Sequence, residues 1–339
     1  KFTLSAGFGR EVAMRSVTVS APGGPEALTL IEAEVPEPGS GEVLIEVAYA
    51  ALNPLDSHAR ADRIKWNHPG YPFTPGFEFC GVVDAVGEGV DEALIGQRVA
   101  TNGQWGGNAD FATASARSLV SVPDDFDWPL ACCFSTCAYT SWLLVHSAAK
   151  VQPDQWVVVH SAAGAVGSLV MQIAKSAGAQ VIGLVGGEHK FEFAEQFGPD
   201  AIIDYLRDDW PDGVKALTEG RGADVIFDGN AGDRAPMNLD AVAPLGHIVY
   251  LGASAGQAPP VPPSMLIGKS CSVSGFVQYF HQAICDGAEV AATHRALADG
   301  TWRIPIEREF DLTEVADAHR AWEARELMGR SVIRVGGDL

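Results

Sequence analysis

The sequence predicts an α/β protein in which a doubly wound parallel sheet is joined to a second, β-rich unit. From Trp156 to about residue 276, short apolar runs alternate with amphipathic helical stretches, as strand–helix–strand units of a parallel sheet require. The first of these runs ends in a glycine-rich turn, SAAGAVG, that opens a helix. The first third reads instead as strands separated by stretches dense in Gly and Pro.

Taken in order, VLIEVAYAAL (43–52) and FCGVVDAV (79–86) read as strands. Between and after them, HPGYPFTPG (68–76) and NGQWGGN (102–108) are turn-dense and aromatic, a composition suited to loops that shape a pocket. WVVVH, from Trp156, is a strand, and SLVMQIAKSAG places Leu169, Val170, Ile173, Ala174 and Ala177 at helical spacing, with Gly178 closing the helix. Further strands are expected at 181–185, 201–204, 224–228, 248–252 and 272–276. Beyond about residue 280, AEVAATHRALADG and EVADAHRAWEAREL are helical, and SVIRV is a last strand. We expect domains at 1–135 and 136–280, a closing segment 281–339 that returns to the first, and tightly joined lobes with a cleft between them. A chain of 339 residues is long enough for two domains of about 100–200 residues each.

Composition narrows the class. Hydrophobic residues at 47% and charged residues at 19% fit a globular protein and exclude a disordered or low-complexity one. A net charge of −20 repels phosphate backbones and anionic membrane surfaces, which argues against nucleic acid as the main partner. No run reaches the roughly 18–20 apolar residues of a membrane span, and KFTLSAGFGREVAMRS at the start lacks a long apolar stretch, so a soluble, cytoplasmic protein is expected. Cys80, Cys132, Cys133, Cys137, Cys271 and Cys285 are few, and four of the six sit in apolar surroundings, which suits reduced thiols. Cys132, Cys133 and Cys137 lack a CxxC pair, so small buried side chains explain them better than zinc.

The turn Ala162-x-Gly164-x-x-Gly167 is a GxGxxG pattern with Ala in the first place. Unpaired amides and the partial positive end of the following helix make such a turn a pyrophosphate site. The second strand ends VGGEHK, without the acid that would bind a ribose 2′-hydroxyl and repel a 2′-phosphate. Lys190 then either pairs with a 2′-phosphate or is a solvated lysine on a helix's first turn, the reading for which Glu188 argues.

With HSAAGAVG, QIAKSAGAQVIGLVGGEHK, IIDY, FDGNAG and VYLGASAG in the second part, ALNPLDSHAR and PFTPGFEFCGVVDAVGEGV in the first, and GRSVIRV at the end, the chain resembles the zinc-independent, zeta-crystallin-like quinone oxidoreductase branch of the medium-chain dehydrogenase/reductases. The resemblance covers nearly the whole chain. It implies a Rossmann domain for NADPH and a GroES-like β-rich catalytic domain. It would lay Gly164, Ala165 and Val166 along the pyrophosphate, put Gly186, Lys190 and Tyr205 at the 2′-phosphate, and set Leu251, Gly252, Ala253, Phe276 and Val277 around the nicotinamide. Compared with the zinc alcohol dehydrogenases of the same superfold, Asn53 stands where they have the catalytic Cys and Phe77 where they have the histidine of GHE, so no metal is expected.

By the same resemblance a cleft would be lined by Asn53, Asp56, His58, Trp66, Tyr71 and Trp105, whose aromatic faces suit flat conjugated substrates. Asn53-x-x-Asp56 matches the family motif, and His58 replaces the tyrosine often found two residues after the Asp. His58 either donates a proton to the substrate, or packs or sits exposed while water supplies the proton. The implied activity is hydride transfer from NADPH to a quinone or an activated C=C bond, with enoyl reductases in the same branch; the alternative is an NADPH-binding protein with little turnover. An edge strand over 272–277 and the family's habit point to a homodimer.

Overall fold

The computed structural model describes residues 13–64, 67–282, 287–337 and 339; Trp66 and Cys285 lie outside the described residues. The chain packs as two compact units. The first comprises Lys1–Cys133, Arg308–Glu326 and Ser331–Leu339, and the second Phe134–Glu307 with Leu327–Arg330. Residues 281–282 and 287–307 thus group with the second unit.

The first unit contains the antiparallel pair β1 (Ala13–Val19) and β2 (Leu28–Glu34). Its main sheet holds β3 (Glu42–Ala51), β4 (Glu78–Val86), β5 (Arg98–Asn102), β6 (Phe111–Ser115) and β7 (Val120–Ser121). The long strand β3 is central: Val43, Ile45, Val47, Ala48 and Ala50 are fully buried, and its edges pair with β4 and β6.

The second unit is built on β8 (Trp156–His160), β9 (Gln180–Val185), β10 (Ala201–Asp204), β11 (Ala223–Asp228), β12 (Val242–Tyr250) and β13 (Ser272–Gly275). All are parallel, in the order β10-β9-β8-β11-β12-β13. This is the doubly wound order, which reverses direction between β8 and β11 and opens a crevice there at the carboxyl ends. The strands read as continuous apolar runs because both faces are covered: Val158, Ile182, Leu184, Ile226 and Ile248 form one buried cluster with Trp210 and Val214. The helix Ala165–Ser176 buries Leu169, Val170, Ile173 and Ala174, as the spacing predicts, and Gly178 follows it at φ +87°.

Two strands close the chain, β14 (Ile306–Asp311) and β15 (Arg330–Arg334). SVIRV is indeed a strand, and Val332 of β15 pairs with Ala51 of β3. The stretch after residue 280 is not all helical, however. IEREFD forms β14 at the end of the seven-stranded sheet, with three consecutive positions exposed, so it lacks the apolar alternation by which a half-buried strand is read. The strand expected at 248–252 starts earlier, at Val242, and stops at Tyr250, whose register partner on β11 is the last residue of that strand, Asp228.

Candidate active site

In the second unit, each residue that the sequence assigns to the dinucleotide follows the carboxyl end of a parallel strand. Gly164, Ala165 and Val166 come after β8, Gly186 and Lys190 after β9, and Tyr205 directly after β10. Leu251, Gly252 and Ala253 come after β12, and Phe276 and Val277 after β13. The sheet therefore brings them to one edge, where dinucleotides bind in folds of this order.

Gly164 is the N-cap of the helix Ala165–Ser176, and no side chain caps that end. The first amides of a helix have no acceptor within it, so the uncapped turn offers N–H groups to an anion. A Cβ at Gly167 would lie 2.2 Å from the Ser161 carbonyl oxygen; glycine there lets the helix close onto the end of β8. Gly164, Ala165 and Val166 stay partly open while Gly167 and Ser168 are buried, so the turn presents one face.

After β9, a Cβ at Gly186 would lie 2.9 Å from the Tyr205 hydroxyl oxygen, which makes glycine the residue that lets the tyrosine reach the strand end. Lys190 ends the short 3-10 turn Glu188–Lys190, its N–H donating to the Gly187 carbonyl at 3.1 Å.

The sequence reading missed a buried polar network at the ends of β8 and β11. The Asp228 carboxylate, 1% exposed, accepts from the Asn230 and Ala231 amides at 2.7 and 3.0 Å and from Asn238 Nδ2 at 2.7 Å. Because the Asn238 amide nitrogen donates to Asp228, its oxygen is left as the acceptor for His160 Nε2 at 2.8 Å, which puts the imidazole proton on Nε2. Asn230 Oδ1 in turn accepts from the Ser161 and Ser254 hydroxyls at 2.8 and 3.1 Å. This network fixes the turn after β11 against the phosphate turn. His160 at one strand end and FDGNAG at the next were the available signal.

In the first unit, Asn53 and Asp56 open the helix Pro54–Arg60. Asp56, 1% exposed, accepts from the Asn53, Gly76 and Phe77 backbone amides at 2.9, 2.8 and 3.1 Å. Those bonds tie the helix start to the loop before β4, a positioning task. Asn53 is buried as well, its Nδ2 donating to the Ala51 carbonyl at 3.2 Å and to Glu78 Oε2 at 3.3 Å. Two residues beyond Asp56, His58 is half-buried and sets its ring edge-on to Trp322, 5.9 Å between centroids. Its Nδ1 is buried without a partner. Burial lowers its pKa below the ordinary imidazole value, Arg63 lowers it further, and Glu323 opposes the shift. The same helix binds Val315–Glu323 through Ser57 Oγ to His319 Nδ1 at 2.9 Å and through the ion pair of Arg60 with Glu323.

Beside this helix the rings of His68, Tyr71, Phe73, Trp105 and Phe77 meet edge-to-face or tilted at 4.9 to 5.6 Å. The Tyr71 hydroxyl is committed to the Ala59 carbonyl at 2.8 Å. Trp105 lines an open concavity of about 420 Å³ together with Asn67, His68, Gln104 and Thr113.

A model of the GroES-like domain of alcohol dehydrogenases matches residues 39–124, and one for zinc-binding dehydrogenases matches residues 165–292. A quinone oxidoreductase from Pseudomonas aeruginosa is 30% identical over 328 residues, covering 94% of this chain and 99% of that protein. The chain belongs to the quinone oxidoreductase branch of the medium-chain dehydrogenase/reductases. Another relative in this family, a 2-haloacrylate reductase from a Burkholderia species, is 29% identical over 92% of this chain and 96% of its own. Among solved structures, a mycobacterial protein complexed with NADPH superposes with a TM-score of 0.88 at 29% identity, over 95% of this chain and 100% of that one. Escherichia coli quinone oxidoreductase complexed with NADPH gives 0.87 at 25% identity, over 94% and 99%. The Rossmann and GroES-like parts expected from the sequence are those of this family.

One of the two domain models is described by its zinc, but the two positions of this quinone oxidoreductase-family chain compared above with zinc ligands, Asn53 and Phe77, are otherwise engaged. A zinc site needs about three nitrogen, sulfur or carboxylate ligands around an open position. Here the Asn53 amide is spent on a carbonyl and a carboxylate, and the Phe77 ring packs on Trp105. Among the described residues no group of three or more His, Cys, Asp or Glu is placed to hold a metal ion.

Proposed function

We propose that this chain is an NADPH-dependent reductase that delivers a hydride to a quinone or to the activated C=C bond of an enone, alkenal or enoyl substrate. The observation that carries the reading is the row of dinucleotide residues along the carboxyl edge of the parallel sheet, with an uncapped helix end at the switch point. Relatives named quinone oxidoreductase and 2-haloacrylate reductase, the second acting on an activated alkene by its name, support the acceptor class.

When bound, NADPH supplies the hydride from C4 of its nicotinamide. The residues around it hold and orient. Gly164, Ala165 and Val166 offer the uncapped helix end to the pyrophosphate, and Lys190 and Tyr205 take the 2′-phosphate at Gly186. Leu251, Gly252, Ala253, Phe276 and Val277, at the ends of β12 and β13, would hold the nicotinamide end. In the first unit, Asn53 and Asp56 fix the helix that carries His58, and Trp105 with its aromatic neighbours receives a flat acceptor. For an alkene, addition of that hydride at the β-carbon would leave an enolate, and His58 would be the residue to supply the proton to its α-carbon.

The experiment that tests the cofactor site compares NADPH and NADH affinities for the wild type and Lys190→Ala. Losing one charge-assisted contact should cost about 1.5–3 kcal/mol for NADPH and little for NADH. Equal wild-type affinities for the two cofactors would overturn the assignment.

We further propose a homodimer. Strand β13 ends the parallel sheet, and an edge of unpaired N–H and C=O groups invites a second copy. Beside it, Met265 and Ile267 of the helix Pro263–Lys269 are 39% and 77% exposed. A monomer mass by light scattering at micromolar concentration contradicts this. No helix among the described residues is long and apolar enough to cross a membrane. Cys80, Cys132, Cys133, Cys137 and Cys271 are buried free thiols, which supports a cytosolic, reducing setting; recovery of the protein from an oxidising compartment speaks against it.

A further inference from the structure

We propose that Arg234 is a second cation for the 2′-phosphate of NADPH, a specificity residue acting with Lys190 from the opposite side of Tyr205; this rests on the NADPH reading above. Arg234 lies in the 3-10 segment Gly232–Met237 that follows β11. Its Nη1 donates to the Tyr205 carbonyl at 3.3 Å and approaches Asp208 Oδ1 at 3.1 Å. Tyr205 therefore joins the two sides: its carbonyl holds Arg234, and its hydroxyl reaches the strand end at Gly186.

Three features make the guanidinium suited to a phosphate. All its polar contacts among the described residues, including Met237 Sδ at 3.8 Å, are made by Nη1. The edge formed by Nε and Nη2 is thus left for a bidentate partner, the geometry in which arginine binds phosphate. The Asp208 partner is 93% exposed, and an ion pair of that kind is weak enough to be exchanged. The neighbouring cation, Arg207, is already held by both carboxylate oxygens of Asp209 at 3.0 Å each. A phosphate dianion entering a chain of net charge −20, beside Glu188, Asp204 and Asp208, meets an unfavourable field that one lysine offsets only in part.

The test is direct binding to the full-length protein of NADPH, NADH, 2′,5′-ADP and 5′-AMP, by calorimetry and at two salt concentrations. Arg234→Gln should weaken NADPH and 2′,5′-ADP by roughly 10- to 100-fold, leave NADH and 5′-AMP within about twofold, and flatten the salt dependence. Asp208→Asn, which removes the competing carboxylate, should tighten NADPH. Arg234→Lys keeps the charge without the fork and should fall between wild type and Arg234→Gln; it also serves if the Gln variant folds poorly. Equal losses for phosphorylated and unphosphorylated ligands, or no loss, overturn the role of Arg234. If Lys190→Ala still discriminates in that case, only this inference fails and the NADPH reading stands; if neither variant discriminates, both fail.

Discussion

Replacing His58 with phenylalanine lowers kcat for enones and alkenals by roughly 10²- to 10⁴-fold, the range of a positioned general acid, and leaves quinone reduction nearly intact. The difference follows from where the proton goes. An enolate must be protonated on carbon, whereas hydroquinone oxygens take protons readily from water. Phenylalanine preserves the edge-on contact with Trp322, so the change removes the proton rather than the packing. Burial and Arg63 hold the His58 pKa below 6.5, so the acid form is a minority at neutral pH. The alkene rate should therefore climb as pH falls from 8 toward 6, and that rise should vanish in the variant. Steady-state kinetics with one enone and one quinone checks this. Equal effects on the two acceptors would reduce His58 to a packing residue and make water the proton source.

Acidification should destabilise the protein through His319. This side chain is fully buried between Ser57 and the Arg60 guanidinium, and burial first, then Arg60, presses its pKa from 6.5 to about 3. The folded state thus keeps the imidazole neutral while the unfolded chain protonates it below 6.5. Stability is complete above that pH and is lost as pH falls toward 3. A shift of this size corresponds to roughly 3–5 kcal/mol at the acid end. His294, stacked on Phe134 and lowered to about 4 by burial, acts in the same direction. Urea unfolding from pH 7 to 4 should show a clearly shallower loss for His319→Gln, which can still bond the Ser57 hydroxyl and carries no titrating group. Parallel pH profiles for wild type and variant contradict the account.

What the sequence disclosed was local. WVVVH, the glycine turn and the helix from Ala165 are read correctly because apolar runs, turn residues and helical spacing lie within one short stretch. The residues expected at the cofactor came from the family resemblance, and the fold places each of them beyond the end of a parallel strand. The strand β14 was not, since an exposed edge strand need not alternate. Nor was the setting of His58, whose partner Trp322 and the neighbouring pairs Ser57–His319 and Arg60–Glu323 come from the far end of the chain. Burial of Arg60 at 1% exposure is a tertiary fact that residue type argues against. Asp56 was singled out from its motif as lining the cleft, and its bonds to the amides of Gly76 and Phe77, twenty and twenty-one residues away, are again tertiary facts.

NADPH should be turned over by this protein, not merely bound. The measurement that bears on it most directly is the stoichiometry of NADPH consumed to acceptor reduced, with metal chelator present, across quinones, enones, alkenals and enoyl thioesters. One NADPH should be oxidised per acceptor in at least one of these classes, with NADH much poorer and the chelator without effect. Tight NADPH binding with no oxidation above background for any acceptor would contradict it and leave a binding protein in its place.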